Sequence, residues 1–136
     1  VGGNNTIYAG EGANNILTGA GDDLIYVGAG NDFIRAGAGR NTIYAGEGNN
    51  TIASSGNDLI YIGSGRDRLQ LGRGTGEATV ITFNSANDRI ALGGGLRFSD
   101  LTIAQNGGDT TISAGTDVLA TLKFVQASSI TSSAFA

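Results

Sequence analysis

One position recurs through the first half of the chain with only asparagine or aspartate on it: Asn5, Asn14, Asp23, Asp32, Asn41, Asn50, Asp58 and Asp67. Regularly spaced side chains of this kind suit two kinds of chemistry. Their oxygens can hold a hard cation, or the groups can hydrogen-bond to one another as ladders between stacked strands. The sequence holds no histidine and no cysteine. Imidazole and thiolate ligation are therefore excluded, together with the commonest general base, and any metal must be held by oxygen. A net charge of −4 and a pI near 4.5 sit easily with a cation. They leave no basic stripe to meet phosphates, so no nucleic-acid partner is expected.

The elements that position these residues are repeats. Residues 10–18, 19–27, 28–36, 37–45 and 46–54 superpose without gaps at a period of nine, as G-x-G-x-(N/D)-x-I-x-(small or apolar). Residues 55–62 continue the pattern with one residue deleted, 63–71 restore it, and 1–9 form a further unit, giving eight. Twenty-four glycines with no proline point to a fold in which glycine has a fixed positional role. One column is always aliphatic (Ile7, Ile16, Ile25, Ile34, Ile43, Ile52, Ile60, Leu69). Two residues on, the same strand face carries Ala9, Thr18, Val27, Ala36, Ala45, Ser54, Ile62 and Leu71. These two columns are the expected core. The chain holds no methionine, and Val1 falls inside a repeat loop, which reads as a processed chain or a piece of a longer one.

The units GAGDDLIYV and GAGNDFIRA resemble the calcium-binding nonapeptides of the RTX (haemolysin-type) family. The resemblance implies an all-β fold, a parallel β-roll or β-solenoid with two units per coil, so that residues eighteen apart become neighbours about 4.8 Å apart. It also implies calcium, held by Asp23, Asp32, Asp58 and Asp67 with loop carbonyls such as those of Gly19, Gly21, Gly28 and Gly30. Asn5, Asn14, Asn41 and Asn50 are weaker members of this set. On that geometry Asn5, Asp23, Asn41 and Asp58 line one edge and Asn14, Asp32, Asn50 and Asp67 the other. Each gap then has one aspartate and one asparagine, half the ligand charge of a two-aspartate gap. Cations in adjacent gaps about 5 Å apart repel by roughly 14 kcal/mol at an effective dielectric of 20. Asp22 is placed to help offset this, whereas Arg40 and Arg66 oppose it, and partial, weakened calcium binding is expected.

The same coil geometry stacks Tyr8, Tyr26, Tyr44 and Tyr61 beside Leu24 and Leu59 on one nearly uncharged face. Such a face suits cross-strand stacking or contact with another domain, a second copy or a carbohydrate. After Gly72 the period fails, and 79–83, 88–92, 101–104, 110–113 and 118–125 read as short strands. Asp88 reads as a turn residue. The expected division is a repeat roll over 1–76 and an antiparallel β cap over 77–136, which resembles the segment following such repeats in secreted cyanobacterial proteins. The tail Ala134, Phe135, Ala136 is compatible with a type I secretion signal.

No H-E-x-x-H helix, P-loop or G-x-G-x-x-G is present, and no apolar run approaches the roughly 18 residues that span a bilayer. The expectation is a non-enzymatic, extracellular calcium-binding module. The competing expectation is a self-assembling subunit of an extracellular filament or surface layer, largely independent of calcium.

Overall fold

The computed structural model describes residues 2–135. Each repeat forms a strand of only three or four residues, which cannot bury an apolar face by itself. Eight such strands follow one another: β1 (Thr6–Tyr8), β2 (Asn15–Leu17), β3 (Leu24–Tyr26), β4 (Phe33–Arg35), β5 (Thr42–Tyr44), β6 (Thr51–Ala53), β7 (Leu59–Tyr61) and β8 (Arg68–Leu71). Stacking supplies the burial. Odd-numbered strands form one parallel sheet and even-numbered strands the other. The aliphatic column is in register in both, as Ile7, Ile25, Ile43, Ile60 on one side and Ile16, Ile34, Ile52, Leu69 on the other.

The two columns meet between the sheets. Ile25, Ile34, Ile43, Ile52, Ile60 and Leu69 are fully buried, each worth roughly 1.5–3 kcal/mol relative to an exposed side chain. Ile7, in the first coil, is only partly buried, because nothing described lies beneath it. The second expected column packs into the same core from Val27 to Leu71, and Ser54 is its one buried polar member.

The glycines set how closely coils approach. Gly48 has φ +107, and a Cβ there would run into the carbonyl of Gly30 one coil away. Its own N–H reaches the Ser64 carbonyl of the next coil at 2.9 Å. Only glycine serves where the backbone is left-handed and a neighbouring loop lies against it.

Parallel stacking does not end with the nine-residue period. β9 (Ala78–Ile81) adds to β7, and β10 (Arg89–Leu92) adds to β8, with Val80 and Ile90 continuing the aliphatic columns. These two strands complete a fifth coil. The connecting loops are longer here, so that residues 20 and 21 apart become stacked neighbours.

The rest forms an antiparallel unit of β11 (Thr102–Asn106), β12 (Asp109–Ala114) and β13 (Asp117–Leu122). Its turns carry Gly107 and Gly115 at φ +62 and +64. β13 joins the roll by lying parallel to β9, giving an eight-stranded sheet in the order β1-β3-β5-β7-β9-β13-β12-β11. The five-stranded sheet runs β10-β8-β6-β4-β2. The strand expected to reach Val125 stops at Leu122, where Phe124 takes φ +59 and ends the ladder. Ala134 is buried and Phe135 bridges to Ile90, so the tail folds back onto the fifth coil. Val1 and Ala136 lie outside the described residues.

Candidate metal centres

The Asn/Asp position is the residue just before each strand, where the loop turns into the sheet. Its side chain points back along the stack. On the first edge, the Oδ1 atoms of Asp23, Asn41 and Asp58 accept the backbone N–H of Asn5, Asp23 and Asn41 respectively, at 2.8–2.9 Å. On the second edge Asp32, Asn50 and Asp67 accept from Asn14, Asp32 and Asn50, each at 2.8 Å. Both columns are ladders, and all of these acceptors are buried.

The asparagines complete their loops unaided. The Asn5 amide donates to the Gly3 carbonyl at 2.7 Å and to Asp23 Oδ1 at 3.0 Å. Asn14 donates to the carbonyls of Gly10 and Gly12 and to Asp32 Oδ1. Asn41 reaches Gly37 and Asp58 Oδ1, and Asn50 reaches Ala45 and Gly48. In each case an NH2 group stands among oxygens of its own loop and, in three of the four, of the aspartate above.

The aspartate loops have no such group. Among the described residues, the Oδ2 atoms of Asp23, Asp32 and Asp67 are buried without a hydrogen-bond partner. The carbonyls of Gly19, Gly21 and Gly30, at loop positions an asparagine amide fills elsewhere, likewise receive no hydrogen bond among the described residues. The Gly28 carbonyl differs, since it accepts the Glu47 N–H at 3.2 Å. A buried unpaired carboxylate oxygen beside unpaired carbonyls is costly alone and is the donor set a hard cation takes. In the Asp67 loop the Gly63 and Gly65 carbonyls likewise receive no hydrogen bond among the described residues, and the residues present fit calcium at these three aspartates.

Asp58 departs from that pattern. Its Oδ2 accepts the Ser54 hydroxyl at 2.5 Å, so no oxygen is left over. Asp22, expected to assist a cation, instead lies exposed in an outer ladder, accepting from the Arg40 N–H at 2.8 Å and donating its own N–H to Asn4. The backbone of Arg66 joins a matching outer ladder through Asn49.

The second edge also has a fifth rung. Asp88 Oδ1 accepts the Asp67 N–H at 3.0 Å and its Oδ2 accepts the Asn84 N–H at 2.8 Å. Asp88 closes the turn from Asn84, as expected, and also adds a rung to the ladder, so the Asp67 gap corrects the expectation of one aspartate and one asparagine throughout. Burial, reinforced by the charge of Asp88, pushes the Asp67 carboxyl up to about 6. Burial also pushes Asp88 up. For Asp23, burial pushes the carboxyl up, but hydrogen bonding from the Asn5 backbone, the Thr18 side chain and the Asn5 amide outweighs it and holds the carboxyl below the usual range. The sequence did carry the signal for Asp88: Asn87-Asp88-Arg89-Ile90 repeats the pattern of Asn31-Asp32-Phe33-Ile34.

The sequence matches the RTX calcium-binding nonapeptide repeat in four overlapping copies, over residues 1–34, 26–55, 36–69 and 52–76. The chain belongs to that family. Solved structures share the RTX roll. The AlgE6R3 subunit of the Azotobacter vinelandii mannuronan C5-epimerase aligns with a TM-score of 0.56 at 21% identity, over 98% of this chain and 78% of its own. The AlgE6R2 subunit of the same enzyme gives 0.50 at 16%, over 95% and 90%. The extracellular lipase LipA of Serratia marcescens gives 0.51 at 13% identity over 98% of this chain, which spans only 38% of the lipase. At such identities the likeness shows the fold. No curated protein matches the sequence.

The expected tyrosine column is also formed. Tyr8, Tyr26, Tyr44 and Tyr61 stack with ring centroids 5.1, 4.6 and 4.5 Å apart and planes within 7°. Leu24 and Leu59 lie beside them, half-buried in register with Thr6 and Thr42. Tyr8, at the open end, is 76% exposed.

Proposed function

We propose that this chain is a non-enzymatic calcium-binding β-roll module of a secreted protein, and that it takes calcium only beside Asp23, Asp32 and Asp67. One observation carries this reading: those three aspartates each keep a buried carboxylate oxygen without a partner. The asparagine loops close on themselves through their amides, and Asp58 is closed by Ser54. Calcium at the three sites supplies the positive charge that each unpaired carboxylate lacks. Binding is thus partial because five of the eight loops carry their own donor, an asparagine amide in four and Ser54 in the fifth. The gap at Asp67, with Asp88 above it, has the highest carboxylate density and joins the repeats to the segment that closes the roll.

Isothermal titration of the chain and of four single variants tests this. Asp23→Asn, Asp32→Asn and Asp67→Asn are each expected to remove one calcium per chain, whereas Asp58→Asn removes none. Equal losses from all four, or no binding heat in the parent chain, would overturn it. Export is supported by the family and by the extracellular lipase that shares the fold.

Filament assembly by head-to-tail stacking has less support. The folded-back tail lies against β10, so the two ends of the roll do not match, while β1 and β2 keep open edges. Electron microscopy at high protein concentration distinguishes the readings: filaments that survive chelation would favour the assembly.

A further inference from the structure

The outer face of the five-stranded sheet differs in character from the tyrosine face. It carries two adjoining hollows of about 660 and 490 Å³ that meet at Arg68. Arg35 and Arg73 line the first with Arg68, and Arg66 and Arg89 line the second. Five of the eight basic residues of an acidic chain therefore gather along one trough, which corrects the expectation that the composition leaves no basic stripe. Neither ion pair among the described residues, Arg97–Asp100 and Lys123–Asp109, involves any of them. Asp67, itself buried in the ladder, is the one acid touching either hollow.

This crowding has a cost. Arg68 and Arg89 are direct partners in neighbouring strands, and like charges placed opposite one another destabilise a sheet. Two of the arginines are nevertheless held in place. Arg89 Nη1 donates to the carbonyls of Asp88 and Ser85 at 2.7 and 3.2 Å, and the Arg35 guanidinium lies 6.0 Å from the Phe33 ring centroid. Their planar forks match carboxylates, which they can engage with two parallel hydrogen bonds. Between them Gln70, Ser55, Thr75 and Asn87 supply neutral donors and acceptors.

We infer that this trough binds an acidic polysaccharide, its carboxylates on the arginines and its hydroxyls on the neutral side chains. A row of cations spanning both hollows suits several carboxylates on one chain better than a single small anion. No aromatic ring lines either hollow, and the nearby Phe33 ring lies against the Arg35 guanidinium, so bases of a single-stranded nucleic acid would find no row of rings to stack on. The surface is concave, which suits a chain and not a bilayer. The inference is independent of the calcium sites.

Fluorescence anisotropy with a labelled oligogalacturonate tests it, at low and at saturating calcium, with circular dichroism confirming that each variant keeps the roll. Saturable binding is expected that weakens as salt rises, falls at least tenfold in Arg68→Gln/Arg73→Gln, and is unchanged in Arg97→Gln. A neutral oligosaccharide of equal length should not compete. Absence of binding, equal binding of the neutral sugar, or tighter binding of an oligonucleotide or an anionic vesicle would overturn the inference. Binding that requires calcium and survives Arg68→Gln/Arg73→Gln would overturn it too, since the carboxylates would then sit on metal.

Discussion

Replacing Asp67 with asparagine should stabilise the calcium-free protein, although it removes a buried charged group from a metal-binding repeat. The Asp67 carboxyl rises from its ordinary 3.8 to about 6 because it is buried and faces Asp88. Ionising it in the folded chain therefore costs about 3 kcal/mol more than in the unfolded chain. The folded state keeps the proton longer, so this group's stabilising contribution is complete below about pH 4 and is lost as pH rises through 6. At pH 7.5 without calcium the full cost is present. In Asp67→Asn the new side chain would keep the Oδ1 that accepts the Asn50 N–H and gain an amide where Oδ2 now has no partner. The expected gain in chelator at pH 7.5 is about 3 kcal/mol, on the order of 10 °C in Tm, shrinking to little at pH 4. Urea denaturation followed by circular dichroism at both pH values measures it. In saturating calcium the ranking should reverse, because only the parent gains the binding energy of the calcium beside Asp67. A variant less stable than its parent in chelator at pH 7.5 would refute the claim that this oxygen lacks a partner.

Ser54→Ala should cost the parent about 1–3 kcal/mol by stranding Asp58 Oδ2, and should add a fourth calcium in titration. Gly48→Ala forces a side chain onto a left-handed backbone and into the Gly30 carbonyl, so loss of the cooperative thermal transition is expected. Tyr44→Ala removes two stacked pairs at roughly 0.2–1 kcal/mol each, a modest drop in Tm that leaves calcium stoichiometry unchanged.

The roll was legible because its signals are local and repeated. An isoleucine every nine residues fixed the core columns, and the Asn/Asp position fixed where the ladders run. Less legible was anything that depends on one loop meeting another. Asp88 carries the same local pattern as Asp32, but a stretched connection shifts it 21 residues from Asp67 and hides it from a count by nines. Ser54 looked like a small core residue, yet its hydroxyl reaches the Asp58 carboxylate. The distinction between loops that need a cation and loops that do not rests on which carbonyls an asparagine amide reaches, a matter of ångströms. The arginine trough was invisible for the same reason: Arg35, Arg68 and Arg89 come from three separate strands.

Anomalous diffraction from crystals grown in calcium tests the central claim most directly, because it places each ion beside a residue. The account predicts peaks beside Asp23, Asp32 and Asp67 and none within the loops closed by Asn41, Asn50 or Ser54. Peaks in every repeat loop, or in none, would contradict it.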